Sequence, residues 1–144
     1  MRDFEQLEDL DIIFPNVRKV LCTETAASLL NMSTTWGRPF EFFHNSKNIA
    51  LKSRSGYFAP IYRDELPEED IITINGREVT NKSRTICDML ALGSDPQTLC
   101  ESMAYFYVDS GYSWDTLLTD VKRHSVSAQF ERWRDLAESV LNDG

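Results

Sequence analysis

The apolar positions change their period along the chain. Near the start, Phe4, Leu7 and Leu10 recur every third residue among the acidic residues between Asp3 and Asp11. That spacing predicts a short acidic helix over residues 3–11, ended by Pro15, whose apolar stripe needs a surface to dock on. A second short helix is predicted through Ala26, Ala27, Leu29 and Leu30, with Thr23 or Thr25 as its cap and small alanines that permit close approach. From Pro39 to Thr80 the period moves towards two, and aromatic or β-branched residues accumulate: Phe40, Phe42 and Phe43; Ile49 and Leu51; Tyr57, Phe58, Ile61 and Tyr62; Ile71, Ile72 and Ile74. Four or five strands are expected there. The clearest turn is Asn75-Gly76, because both residue types tolerate positive φ and the flanks pair as a two-residue hairpin. The run from Asp64 to Asp70 reads as a solvated connection.

Beyond Thr80 the pattern is helical. Thr80 or Asn81 is positioned to cap a helix that runs to Leu92 and stops at Gly93. Asp95 then caps another, with Pro96 at its first position, where the missing N–H costs nothing; it carries Leu99, Met103, Phe106 and Tyr107 and ends before Gly111. Ser113 opens a third helix through Trp114, Leu117, Leu118 and Val121. Ser127 opens a fourth through Phe130, Trp133, Leu136, Ala137, Val140 and Leu141, and this stripe fits either a core face or a homodimer face. Strands first and helices afterwards make the fold class α+β. A small mixed or antiparallel sheet over residues 39–80 is expected, packed by short N-terminal helices and about four C-terminal ones.

Length and composition narrow the class. A chain of 144 residues fits one domain with a core of its own, residues 1–14 reading as an acidic peripheral segment. Apolar residues make up 42% and aromatics 11%, which excludes wholesale disorder. The apolar runs are too short to cross a bilayer, and the first residues lack the basic-then-apolar order of a signal peptide, so a cytoplasmic protein is expected. Cys22, Cys87 and Cys100 have no metal-ligand spacing and read as buried thiols.

Charge points to the kind of partner. With 23 acidic against 15 basic residues the net charge is −8, which disfavours general nucleic-acid binding and favours a basic partner. The acidic clusters are residues 3–11 and 64–70; Asp64, Glu65, Glu68, Glu69 and Asp70 are therefore the expected partner-contact residues. Locally the sign reverses between Arg38 and Arg54. Lys47, Lys52 and Arg54, with Arg77 and Lys82, form an alternative nucleic-acid surface, although edge-strand lysines that block aggregation explain the first three as well.

Catalytic signatures are missing. The chain has no glycine-rich phosphate loop, no nucleophile elbow and no histidine pair at metal-binding spacing, so no catalytic residue, metal or cofactor is expected. His44 reads as a loop histidine and His124 as an exposed residue favourable to a helix dipole. An enzyme built on His44 and nearby carboxylates ranks last. Arg84 and Asp88 stand four residues apart on one helix face, where an i,i+4 ion pair is expected.

The segment from Gly76 to Leu90, read as Gly-x-x-Val-Thr-x-x-x-Arg-Thr-x-x-Asp followed by apolar residues, resembles a signature of the AbiEi-type antitoxins and related regulators of type IV toxin-antitoxin and abortive-infection systems. Thr80, Arg84, Thr85 and Asp88 carry the match. The segment from Thr25 to Met32 resembles the small-residue helix near the start of the family's C-terminal region, where a serine and a glycine are more usual. The resemblance implies a non-enzymatic antitoxin-like or phage-defence regulator that binds or counteracts a nucleotidyltransferase-type toxin. Family members usually carry an N-terminal winged helix-turn-helix that binds DNA; the few residues before Thr25 predict the C-terminal domain standing alone.

Overall fold

The computed structural model describes residues 2–33, 39–47, 58–94, 96–108 and 113–143. Among these, the elements in chain order are helix α1 (Arg2–Ile13), strand β1 (Val20–Leu21), helix α2 (Thr23–Leu29), strands β2 (Phe40–His44), β3 (Phe58–Tyr62), β4 (Ile71–Ile74) and β5 (Arg77–Thr80), then helices α3 (Lys82–Leu92), α4 (Pro96–Val108), α5 (Trp114–Arg123) and α6 (Ser127–Asp143). The fold is α+β, as the change of period implies. The expected strands at Ile49, Leu51 and Tyr57, the Asp95 cap, and Arg38, Lys52 and Arg54 lie outside the described residues.

The strands form one mixed sheet in the order β3-β2-β1-β5-β4. β1 pairs antiparallel with β2 and parallel with β5; β2 and β3 are parallel, and β4 and β5 form the antiparallel hairpin. Asn75 (φ 51°) and Gly76 (φ 80°) both adopt the left-handed backbone that a two-residue hairpin turn requires. β1 was not expected from the sequence, yet it is the central strand, with Val20 and Leu21 fully or nearly fully buried.

Alternation divides the sheet residues between two faces. Leu21, Phe42, Phe58 and Val79 join the main core with α2 and the C-terminal helices, through Ala26, Ile86, Met89, Leu99, Met103, Leu117 and Phe130 among others. Val20, Cys22 and Phe43 form a smaller cluster on which Ile61, Leu66 and Ile71 pack. α1 is longer than expected and not peripheral at its C-terminal end: Leu10 is fully buried, and the Phe14 ring beyond it lies 5.3 Å from Phe42 and 5.7 Å from Phe58. On α6, Phe130 is buried and Trp133 packs against the main core, so these two belong to the core rather than to a dimer face.

The helix ends follow local chemistry. Asn81 caps α3 by accepting from the Arg84 N–H at 2.8 Å, and Gly93, at φ 74°, ends it. Ser113 caps α5 by accepting from the Thr116 N–H at 2.9 Å. α2 departs from expectation: neither Thr23 nor Thr25 caps it, and the N-cap is Cys22 without a side-chain bond. Thr23 takes a positive φ of 49°, a conformation β-branched residues rarely adopt, and its hydroxyl bonds the Glu41 carboxylate. Thr25 Oγ1 accepts from the Glu41 N–H at 2.9 Å, so the start of α2 is fastened to β2 instead of capping itself.

Candidate functional site

The signature from Val79 to Leu90 folds as the end of β5, the Asn81 cap and the first turns of α3, and its polar residues turn inward. Thr80 and Thr85 join their hydroxyls at 2.7 Å, both fully or nearly fully buried. Arg84 is only 6% exposed. Its Nε donates to Asp88 Oδ1 at 2.9 Å, the expected i,i+4 pair, and its Nη1 donates to Asp70 Oδ2 at 2.9 Å. Asp70 closes a 3-10 turn over Glu68–Asp70, immediately before β4.

Asp70 gathers a second cation from the far end of the chain. Arg123, at the end of α5, donates from Nη2 to Asp70 Oδ1 at 2.5 Å and to Asp120 Oδ1 at 3.0 Å. His124 Nε2 stands 3.4 Å from Asp70 Oδ2, so this histidine is half-buried beside the node rather than an exposed helix-end residue. The Arg84 and Arg63 guanidiniums lie 5.4 Å and 5.1 Å from the centroid of the buried Phe43 ring.

The two carboxylates on Arg84 have opposite electrostatics. Burial opposes the charge on Asp70, but hydrogen bonds from Arg123 and Arg84 outweigh it and hold its pKa below the ordinary carboxylate value. Burial dominates at Asp88 and pushes its pKa up to about 6 despite Arg84. Asp88 Oδ2 has no hydrogen-bond partner among the described residues. Burial, then Arg84 and Arg123, lower the pKa of His124. Burial also raises the thiols of Cys22 and Cys87, the latter to about 12, which leaves both as unreactive thiols; Cys100 is only half-buried.

This node fixes the acidic segment in place. Asp70 is 2% exposed, so it leaves the expected partner-contact set: its carboxylate is an anchor, not a surface group. Asn81 Nδ2 donates to the Glu69 carbonyl at 3.2 Å, and the Asn81 N–H to the Asp70 carbonyl at 2.8 Å. The remaining members, Asp64, Glu65, Glu68 and Glu69, are exposed. Glu68 and Glu69 reach side-chain exposures of 75% and 72%, with Arg18 2.9 Å from Glu68 and Arg123 3.6 Å from Glu69. Asp64 accepts a hydrogen bond from the Tyr62 hydroxyl. The segment is thus an anchored ledge of carboxylates rather than a free solvated connection.

Of the alternative basic residues, Lys47, Arg77 and Lys82 are among the described residues, and Arg77 and Lys82 do not converge. Arg77 and Lys82 flank opposite ends of β5, and Lys82 Nζ lies 5.4 Å from the centroid of the Tyr105 ring. Lys47 is exposed beyond β2. The sheet end that holds Arg77 also holds Arg18 and Lys19, around a cleft of about 340 Å³ whose other lining residues include Asp11, Asn75 and Glu78. Its cations are already engaged: Arg18 grips Glu78 with two bonds of 2.8 and 2.7 Å, Arg77 meets Asp11 at 3.2 Å, and Lys19 donates to the Phe14 and Val17 carbonyls at 2.9 Å each. His44, expected in a loop, ends β2 and is buried, its Nδ1 accepting from the Ser46 N–H at 3.2 Å.

No family model matches the chain, and no curated protein does. Among the described residues no cluster of His, Cys, Asp and Glu is arranged to hold a metal ion, and no helix is long and apolar enough to cross a membrane.

Proposed function

We propose that this chain is a non-enzymatic, antitoxin-like regulatory domain that binds or counteracts a toxin-like partner of nucleotidyltransferase type through a basic surface on that partner. One observation carries the reading: four exposed carboxylates, Asp64, Glu65, Glu68 and Glu69, stand on a ledge whose base is fastened by the buried Asp70. A fixed row of like charges steers a basic partner and loses less side-chain and backbone freedom on binding than a mobile loop would. The buried Arg84 node supports the same reading, because the signature residues Thr80, Arg84, Thr85 and Asp88 are all buried and Arg84 fastens the base of that ledge through Asp70.

Co-expression with a candidate toxin-like protein, followed by pull-down at low and moderate salt, tests the proposal. The expected result is a stoichiometric complex that weakens with salt and with Glu68→Lys and Glu69→Lys together. Rescue of growth without a complex would keep antagonism and discard the contact surface. Absence of both would overturn the proposal.

A further inference from the structure

The two edges of the sheet are protected unequally. β3 carries Pro60, which interrupts its row of donors, as proline in edge strands does. β4, at the other edge, reads Ile71-Ile72-Thr73-Ile74, with no proline, charge or bulge to hinder pairing with another chain.

The register tells which of its backbone groups face outward. In an antiparallel pair, hydrogen-bonded and non-bonded residue pairs alternate. The two-residue turn makes Ile74↔Arg77 a bonded pair, and the Asn81 N–H on the Asp70 carbonyl sets the same phase from the other end. The Ile71 C=O and the Thr73 N–H and C=O therefore point away from β5, along an edge that no described strand covers, whereas the Ile71 N–H closes the preceding turn on the Glu68 carbonyl. The Ile72 side chain, 38% exposed, and the exposed Thr73 flank this row.

We propose that the outer edge of β4 accepts an extended, basic segment of a protein partner as a sixth strand. The Thr73 N–H and C=O and the Ile71 C=O supply the backbone bonds, Ile72 packs against an apolar residue of the added strand, and Glu68 and Glu69 meet its cations. Charge selects this occupant over a second copy. The carboxylate ledge runs directly into β4, whereas two copies at −8 each repel one another. The inference rests on the proposed function and specifies how that partner is held.

The test uses the full chain and a synthetic capped peptide, Lys-Lys-Thr-Val-Thr-Val-Thr, at low ionic strength, followed by amide NMR and hydrogen exchange. Two control peptides carry glutamates in place of the lysines, or proline in place of the first valine. The expected result is slowed exchange of the Thr73 amide with the basic peptide, and about tenfold weaker binding for the glutamate peptide and for the Glu68→Lys, Glu69→Lys variant. Ile72→Lys, which leaves the backbone groups of Ile71 and Thr73 in place, should weaken binding several-fold. Shifts at Glu68 and Glu69 without slowed exchange at Thr73 would overturn the added strand while leaving a charge-steered partner intact. No binding of the basic peptide, or sedimentation showing that the free chain dimerises through this edge, would also overturn it. The proposed function fails separately, when neither complex nor rescue is found with a toxin-like protein.

Discussion

Arg84 holds Asp70 through a 2.9 Å bond from Nη1 to Oδ2, with both side chains less than 10% exposed. The same guanidinium holds Asp88, so one buried cation serves two carboxylates from different elements. Removing one partner of a buried ion pair leaves the others desolvated without compensation. Arg84→Met should therefore cost about 3–5 kcal/mol, measured by urea denaturation. Arg84→Lys should recover only part of this, since a point charge cannot reproduce two directed bonds.

The pH dependence follows from Asp88, whose folded pKa of about 6 lies above its ordinary 3.8. Between those values the folded state holds a proton that the unfolded chain releases. This contribution is therefore full at low pH and is lost as pH rises towards 6. His124 acts with the opposite sign: its folded pKa is lowered, so its contribution is lost as pH falls below its ordinary 6.5. Asp70, held low, matters only in more acid solution, where its contribution is lost as pH falls below 3.8. Asp88→Asn isolates the contribution of Asp88. Relative to the parent chain, the variant should gain on the order of 1–3 kcal/mol between pH 4 and pH 7, read from urea midpoints across that range.

Asn81→Ala removes the α3 cap and, with it, the bond from Nδ2 to the Glu69 carbonyl. Loss of the cap alone should cost about 1 kcal/mol. Faster hydrogen exchange at the Glu68–Asp70 turn should accompany it, because the ledge loses one of its fasteners.

Gly93 ends α3 at φ 74°, and a Cβ there would meet no atom within 4 Å. Gly93→Ala is thus a test of backbone conformation rather than of crowding. It should destabilise by about 1 kcal/mol with no change in the core, checked by thermal denaturation and near-UV circular dichroism.

The carboxylate ledge contributes little to stability. Glu68 and Glu69 are mostly exposed, and surface ion pairs contribute about 0–1 kcal/mol each. Glu68→Lys with Glu69→Lys should leave the urea midpoint nearly unchanged while altering partner binding.

Much of the architecture was legible where one local rule decides the backbone. Asn75-Gly76, Asn81, Pro96, Ser113 and Gly93 act through φ preference or a side chain beside its own helix end, and each does what its residue type predicts. β1 escaped because two residues have no period, and its place between β2 and β5 depends on partners 21 and more residues away. Asp70 was misread as a surface group because acidic neighbours mask it; only the folded chain brings Arg123 beside it, 53 residues on. His44 was misread for a similar reason: the polar residues after it suggest a turn, whereas the strand keeps its ring inside. The i,i+4 pair of Arg84 and Asp88 was visible, but its burial was not, since burial is decided by what packs over it.

Asp70 also joins segments that fold from distant stretches of chain: the hairpin it introduces, α3 through Arg84, and the last turn of α5 through Arg123. Unwinding that last turn would strip a buried carboxylate of one of its two guanidiniums, so α5 cannot fray independently of the hairpin base. The slowest-exchanging amides of β5, α3 and α5 should therefore share one opening free energy, and this region should melt as a single cooperative unit rather than helix by helix.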